Sequence, residues 1–225
     1  MKLSIIIPSF NEAATIQTLI TRVKKQNLGN IGKEIIVVDD GSQDGTGKIL
    51  QKISGIKTIR LVRNQGKGAA VRAGVKLASG DYILIQDADL EYDPVDIPEL
   101  LAPVLSGKAE VVYGSRFLGP HRNMLYWHML ANKLLSLLTN VFYDTTLSDM
   151  EVGYKLFPRQ LLLSLDLKEN RFGFEPEVTS KILKQGIRIF EVPISYAGRE
   201  VKDGKKITWK DGVKAFLLLW KYRLA

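Results

Sequence analysis

Four short runs rich in β-branched and apolar residues, Leu3 to Ile7, Glu34 to Val38, Thr58 to Val62 and Tyr82 to Gln86, alternate with stretches of helical pattern, and a fifth run spans Glu110 to Tyr113. Alternation of this kind constrains the chain to an α/β fold: a mainly parallel sheet covered on both faces by helices. The helical stretches carry their own signals. One opens at Asn11-Glu12 and runs toward Lys25, Ser42 and Asp44 are candidate caps for Thr46 to Ile53, and Gly66 to Ala78 combines small residues with an apolar stripe. At 225 residues the chain has room for one such domain with C-terminal additions.

In sheets of this type ligands bind outside the carboxyl ends of the strands. That rule gathers the polar residues along one edge. Pro8, Phe10 and Glu12 follow the first strand, Asp39 and Asp40 close the second after Val38, Arg63 and Asn64 follow the third, and Asp87, Ala88, Asp89 and Glu91 follow the fourth. Carboxylates after two strands, with Glu12 added, repel one another unless a cation or a hydrogen-bonding ligand joins them. Asp87-Ala88-Asp89 is the sharpest of these features, because two carboxylates two residues apart at a strand end suit a hard divalent cation such as Mg²⁺ or Mn²⁺, with substrate phosphates completing its shell. Asp87, Asp89 and Glu91 are therefore the candidate metal ligands.

Composition narrows the partners. A net charge of +8, from 32 basic against 24 acidic residues, favours anionic ligands or an anionic membrane face. The basic residues are scattered and concentrate toward the C-terminal end, without the basic stripe or interleaved aromatics that nucleic-acid binding calls for. No cysteine is present, which removes disulfide and thiolate chemistry and suits a reducing compartment. The opening apolar run is too short for a signal peptide, and no apolar stretch is long enough to span a bilayer. A dinucleotide oxidoreductase is disfavoured, since no G-x-G-x-x-G follows the first strand.

Four segments in order, Ser4-Ile-Ile-Ile-Pro-Ser-Phe-Asn-Glu12, Ile35-Ile-Val-Val-Asp-Asp-Gly-Ser42, Asn64-Gln-Gly-Lys-Gly68 and Gln86-Asp-Ala-Asp-Leu-Glu91, resemble family 2 glycosyltransferases of the GT-A fold, with its mainly parallel Rossmann-like sheet flanked by helices. Tyr113-Gly-Ser-Arg-Phe117, Leu147 to Phe157, Phe172-Gly-Phe-Glu-Pro-Glu177 and Glu191 to Arg199 followed by Gly204-Lys-Lys206 resemble its dolichol-phosphate mannosyltransferase branch. The resemblance implies transfer of a sugar, mannose first and glucose next, from a nucleotide donor such as GDP-mannose or a UDP-sugar to a dolichyl or undecaprenyl phosphate, with inversion. It implies that Pro8, Phe10, Glu12, Val38, Asp39, Asp40, Lys67, Asp87, Ala88, Asp89, Arg116, Arg199 and Lys205 bind the nucleotide-sugar, the arginines and lysines reaching phosphate oxygens. Asp89, Arg116 and Asp149 are the expected catalytic residues. A polyprenyl phosphate is largely ionised at neutral pH and needs positioning more than deprotonation, so Asp149 is expected either to bind sugar hydroxyls or to order the basic residues around the acceptor, although a cap for the element near Met150 is an equally simple role. Some relatives carry glutamine at the place of Glu91, which leaves this residue either in the cation's shell or beside it.

The catalytic domain is expected over residues 1–206, including an amphipathic helix at about 124–143, with a second amphipathic helix over 207–225. Helices of this sort ordinarily pack on their own domain. Here Tyr126, Trp127, Phe142 and Tyr143 at the two ends of the first helix, and the lysines around Val213, Phe216, Leu217 and Trp220 in the second, suit interfacial helices at a membrane surface. The expected place is therefore peripheral, at the cytoplasmic face of a membrane. Two other functions share most of these features: transfer to a soluble or polysaccharide acceptor, and non-catalytic nucleotide-sugar binding.

Overall fold

A computed structural model describes residues 1–122, 124–199 and 209–224. In chain order the elements are β1 (Lys2–Ser9), α1 (Ile16–Lys25), β2 (Gly32–Asp39), α2 (Thr46–Leu50), β3 (Lys57–Arg60), α3 (Lys67–Leu77), β4 (Tyr82–Ile85), α4 (Ile97–Leu105), β5 (Val111–Ser115), α5 (Tyr126–Tyr143), β6 (Lys155–Pro158), α6 (Arg159–Ser164), α7 (Phe174–Lys184), β7 (Ile189–Pro193) and α8 (Trp209–Leu224). Seven strands form one sheet in the order β3-β2-β1-β4-β6-β5-β7. β6 runs antiparallel to both of its neighbours, and the remaining pairings are parallel. The strands β1 to β5 lie where the apolar runs predict them. β6 and β7 are additions that the sequence pattern did not signal.

The core follows from side-chain period. β1 lies at the centre of its half of the sheet, with Ile5 opposite Ile35 of β2 and Leu84 of β4, and its run Ile5 to Ile7 is fully buried because helices cover both faces. α1 answers with Ile16, Leu19, Ile20 and Val23, spaced to face the sheet as one stripe. α3 approaches still closer. A Cβ added to Gly74 would fall 2.5 Å from Cγ2 of Ile6, so only glycine lets the helix lie this near β1. The start of α3, where Lys67 stands, is tied by Ala69 N donating to the Asn170 carbonyl at 3.0 Å.

The chain reverses its direction of progress at β1, moving outward to β2 and β3 and then returning to β4 on the other side. That switch point opens a crevice beyond the carboxyl ends of β1 and β4. The turns there are tied to one another rather than solvated. Asn11 does not open a helix as expected: its φ is 53°, its amide donates to Ser42 Oγ at 2.9 Å and its side-chain oxygen accepts from Gln43 N at 2.9 Å. Asp44 caps Thr46, accepting from its amide at 3.0 Å and holding Ala13 N at 2.9 Å.

At the opposite end of the sheet Glu34, on β2, gathers donors from two other strands and a turn. Its carboxylate accepts from Ser4 Oγ at 2.5 Å, Ser79 N at 2.7 Å and Lys57 Nζ at 2.8 Å. Burial works against the charge, and these bonds from Lys57, Ser4 and Ser79 outweigh it and hold the carboxyl well below its ordinary range. Its stabilisation is therefore complete above the usual carboxylate range and is lost progressively as pH falls from that range toward the depressed folded value. Glu34→Gln is expected to lower the unfolding free energy by about 1–3 kcal/mol at pH 7. In denaturant titrations the gap between the two proteins should narrow steadily from pH 5 to pH 3; a gap that stays constant with pH would show that the charge is not what stabilises.

Candidate active site

The crevice is a continuous cavity of about 1230 Å³ that starts at the ends of β1 and β4 and extends to α5 and α8. Pro8, Phe10 and Glu12 wall one end, Asp87, Ala88, Asp89 and Glu91 the middle, and Arg116 and Arg199 the far side. Eleven of the sequence-predicted nucleotide-sugar and metal residues line it, since Asp40 and Lys67 also reach its surface. Lys205 lies outside the described residues.

Val38 and Asp39 do not reach the cavity, which corrects their expected contact with the nucleotide. Val38 is a core residue of β2, and buried Asp39 turns back to accept Ser42 N at 2.9 Å, with Arg60 Nε 3.5 Å from its second oxygen. Asp40 is at the wall, but its oxygens already accept from Gln65 N at 2.8 Å, Gly66 N at 2.7 Å and Asn64 Nδ2 at 3.0 Å. It shapes the loop into α3.

Charge is balanced pair by pair. Lys67 Nζ bridges Asp87 at 2.7 Å and Glu175 at 2.9 Å, so it is committed to two carboxylates and holds Asp87 in place. Gly153 makes this possible, because an added Cβ there would fall 2.1 Å from Asp87 Oδ2 and 2.8 Å from Lys67 Nζ. Arg116 leaves β5 and meets Asp149 through two parallel bonds of 2.7 Å, Nε to Oδ2 and Nη2 to Oδ1, with its amide adding a third at 3.1 Å. Burial opposes the Arg116 charge, and the Asp149 carboxylate outweighs it and holds the guanidinium firmly protonated. Asp149 is itself fully buried and absent from the cavity wall. Of the roles the sequence left open, the one the geometry accords with is the ordering of a basic residue, since Asp149 is bonded to Arg116. Arg199 spans the cavity, donating from Nη2 to Glu12 at 2.7 Å and from Nε to the Asp89 carbonyl at 3.0 Å.

The expected three-carboxylate cation site is not assembled. Among the described residues no three acidic or histidine side chains converge as ligands. Glu91 is turned to the 196–199 segment, accepting from Tyr196 OH at 3.0 Å and Arg199 N at 2.8 Å, so it anchors that segment instead. Asp89 is different. Burial, then the charges of Asp87 and Glu91, push its carboxyl up, and among the described residues the carboxylate accepts a 3.1 Å bond from Glu91 N. Two neighbouring carboxylates whose joint ionisation is opposed are a donor set that a hard divalent cation would relieve, so Asp87 and Asp89 fit such an ion.

Two further acids stand at the floor. Glu175, from the first turn of α7, and Glu151 both line the cavity, and burial followed by the Glu175 charge pushes the Glu151 carboxyl up. Below them Lys155 is fully buried on β6, its Nζ 2.7 Å from the Met150 carbonyl and 3.7 Å from the centre of the Tyr113 ring. The sequence signal for Glu175 was an acid in the first turn of an otherwise apolar-faced helix start. It was legible only as part of a motif.

Residues 4–165 match the sequence profile of glycosyl transferase family 2. The chain belongs to that family. Over 214 residues it is 30% identical to a dolichol-phosphate mannosyltransferase of Pyrococcus furiosus, covering 91% of this chain and 59% of that protein. Over 220 residues it is 28% identical to the glycosyltransferase AglJ of Haloferax volcanii, covering 96% of this chain and 70% of that protein. Its fold matches crystal structures of glucosyl-3-phosphoglycerate synthase from Mycobacterium tuberculosis; for the complex with Mn²⁺, UDP and glucosyl-3-phosphoglycerate the TM-score is 0.77 at 24% identity, over 98% of this chain and 79% of that one. The protein is a glycosyltransferase with the GT-A fold.

Two substitutions test the geometry of this transferase site. Gly153→Ala is expected to separate Lys67 from Asp87 and abolish transfer while the far end of the sheet stays folded, which amide exchange of β2 and β3 checks. Asp149→Ala leaves the buried Arg116 charge without its partner and is expected to cost about 3–5 kcal/mol, read in chemical denaturation.

Proposed function

We propose that this glycosyltransferase moves a sugar, mannose in the first instance, from a nucleotide-sugar to a polyprenyl phosphate at the cytoplasmic surface of a membrane, with inversion and with a divalent cation. The observation that supports the acceptor class is the apolar stripe that α5 leaves exposed. Its leucine stripe, Leu130, Leu134, Leu137 and Val141, faces outward, while Ser136 and Thr139 are buried. Those two hydroxyls are satisfied within the fold, donating to the carbonyls of Asn132 at 3.0 Å and Leu135 at 2.9 Å. Leu135, Leu138, Phe142 and Tyr143 already supply the packing against the domain, so the outward stripe is apolar surface beyond what that packing uses.

α8 continues the surface. It packs on α5 through Leu135, Met150, Ala215 and Leu219, and leaves Val213, Phe216, Leu217 and Trp220 exposed. The aromatic residues of α5 divide: Tyr126 and Trp127 are exposed, whereas Phe142 and Tyr143 pack toward α8, the Phe142 ring 5.7 Å from that of Trp220. The aromatic pair expected at the second end of α5 is thus helix packing. Val213 and Phe216 also wall the same cavity as Asp89 and Arg116, so an isoprenoid tail lying between α5 and α8 would bring its phosphate toward Arg116. Basic residues on α5 and α8, Lys133, Lys214, Lys221 and Arg223, suit an anionic lipid surface, although Lys214 and Lys221 also lie 3.2 and 3.5 Å from the Glu169 carboxylate. No helix among the described residues is long and apolar enough to cross a membrane.

An ionised acceptor phosphate needs no base, which accords with Asp149 being committed to Arg116. Arg116 and Arg199 would hold phosphate oxygens, and Phe10 and Glu12 the nucleoside, by stacking and by accepting its N–H or hydroxyl groups. A cation held by Asp87 and Asp89 would neutralise charge on the departing diphosphate.

The test is transfer of radiolabel from a panel of GDP- and UDP-sugars into an organic-extractable product with a polyprenyl phosphate, with and without Mg²⁺ or Mn²⁺. Cation-dependent lipid label is expected, and Asp89→Ala should abolish it without lowering the melting temperature. Label found only in water-soluble product would move the enzyme to a soluble acceptor.

A further inference from the structure

Residues 147–150 lie between α5 and β6 without forming a helix or strand, so their amides need acceptors from elsewhere. All four are taken by side chains. Leu147 N donates to Asn140 Oδ1 at 2.8 Å, Ser148 N and Asp149 N to the two oxygens of Glu191 at 2.8 and 3.0 Å, and Met150 N to Ser136 Oγ at 3.0 Å. Two carbonyls are held in the same way, that of Leu147 by Asn140 Nδ2 at 2.9 Å and that of Met150 by Lys155 Nζ at 2.7 Å. The partners come from α5, β7 and β6, and Asp149 stands in the middle of the segment they hold.

What this segment fixes is the direction of one carboxylate. Asp149 meets Arg116 through two parallel bonds of 2.7 Å, a fork in which a small rotation of either partner lengthens one bond or the other. A displacement of the 147–150 backbone is therefore passed to the guanidinium, which lines the cavity. Ser136 and Asn140 are one turn apart and so share the inward face of α5. The same helix walls the apolar part of the cavity with Leu134, Leu135 and Leu138. Thr139, the other buried hydroxyl of α5, has no such connection: it donates to the Leu135 carbonyl, within the helix.

Resting on the acceptor reading given above for the nature of the ligand, we infer that Ser136 and Asn140 are positioning residues for transfer. They act through Asp149 to set Arg116, so that the apolar part of an acceptor against α5 and its phosphate at Arg116 are held in one register. Glu191 and Lys155 complete the clamp from the sheet side, which makes α5 and the arginine parts of one rigid unit.

The Nε–H group of Arg116, bonded to Asp149 Oδ2, is read directly in proton–nitrogen correlation spectra of the full chain, its signal being the one lost in Arg116→Lys. Ser136→Ala removes the acceptor of Met150 N. It is expected to shift and broaden the Arg116 signal and to lower kcat by up to ~100-fold, the range for a misplacement of about 1 Å at a reacting centre. Thr139→Val removes the neighbouring hydroxyl, whose bond stays within α5, and should leave both the signal and the rate as they are. Equal changes in the two variants would show a general effect of α5 packing and overturn the inference, as would an unmoved Arg116 signal or an unchanged rate in Ser136→Ala. Ser136→Cys, which keeps a weak acceptor, takes the place of the alanine variant should that one not fold. The spectrum needs no substrate, so the two readings fail separately: label found only in water-soluble product overturns the polyprenyl acceptor, and the rate of that transfer then carries the comparison of variants.

Discussion

Everything about this site depends on the concentration of carboxylates at one edge of the sheet. A parallel sheet discharges its strand-end loops in one direction, and here those loops carry Glu12, Asp40, Asp87, Asp89 and Glu91, with Glu151 and Glu175 added from below. Such a cluster is stable only if each charge finds a donor or loses its ionisation. Lys67, Arg116 and Arg199 serve as bridges rather than as isolated cations, each tying together elements distant in the chain. The residual imbalance settles on Asp89 and Glu151, whose carboxyls are pushed up, and these are also the groups that face the cavity. The fold tolerates the imbalance where a ligand is to supply the missing partner.

The same logic explains why several residues of the right chemical type are not at the site. Asp149, Glu91 and Asp40 have their acceptors filled by protein donors, each with at least one backbone amide among them. A carboxylate so engaged is a fixed part of the scaffold: Asp149 aims Arg116, Glu91 anchors the 196–199 segment and Asp40 forms the turn into α3. Precision at the few free groups comes from this supporting layer.

The acceptor side follows a different physical rule. The crevice at β1 and β4 is polar and formed by turns, whereas α5 and α8 form an apolar extension of the same cavity. α5 exposes Leu130, Leu134, Leu137 and Val141, at a cost in water that an apolar partner would recover. On the proposed reading the donor and acceptor halves differ in solvent as well as in ligand, and Arg116 lines the cavity they share.

The sequence by itself determined the alternation of strands and helices, the edge of the sheet where ligands gather and most of the residues that line the cavity there, because strand period and strand-end position are local properties. It also marked α5 and α8 as amphipathic. Only the tertiary structure decided which carboxylates are free and which are consumed, as the contrast of Asp89 with Asp149 shows, since that depends on donors contributed from distant parts of the chain. It likewise decided the insertion of antiparallel β6 between β4 and β5, and with it the placing of Glu151, Gly153 and Lys155 under the cavity. Which face of α5 turns inward was not legible either: helical period gives the angle between two faces, and only packing against Met150 and α8 gives the direction.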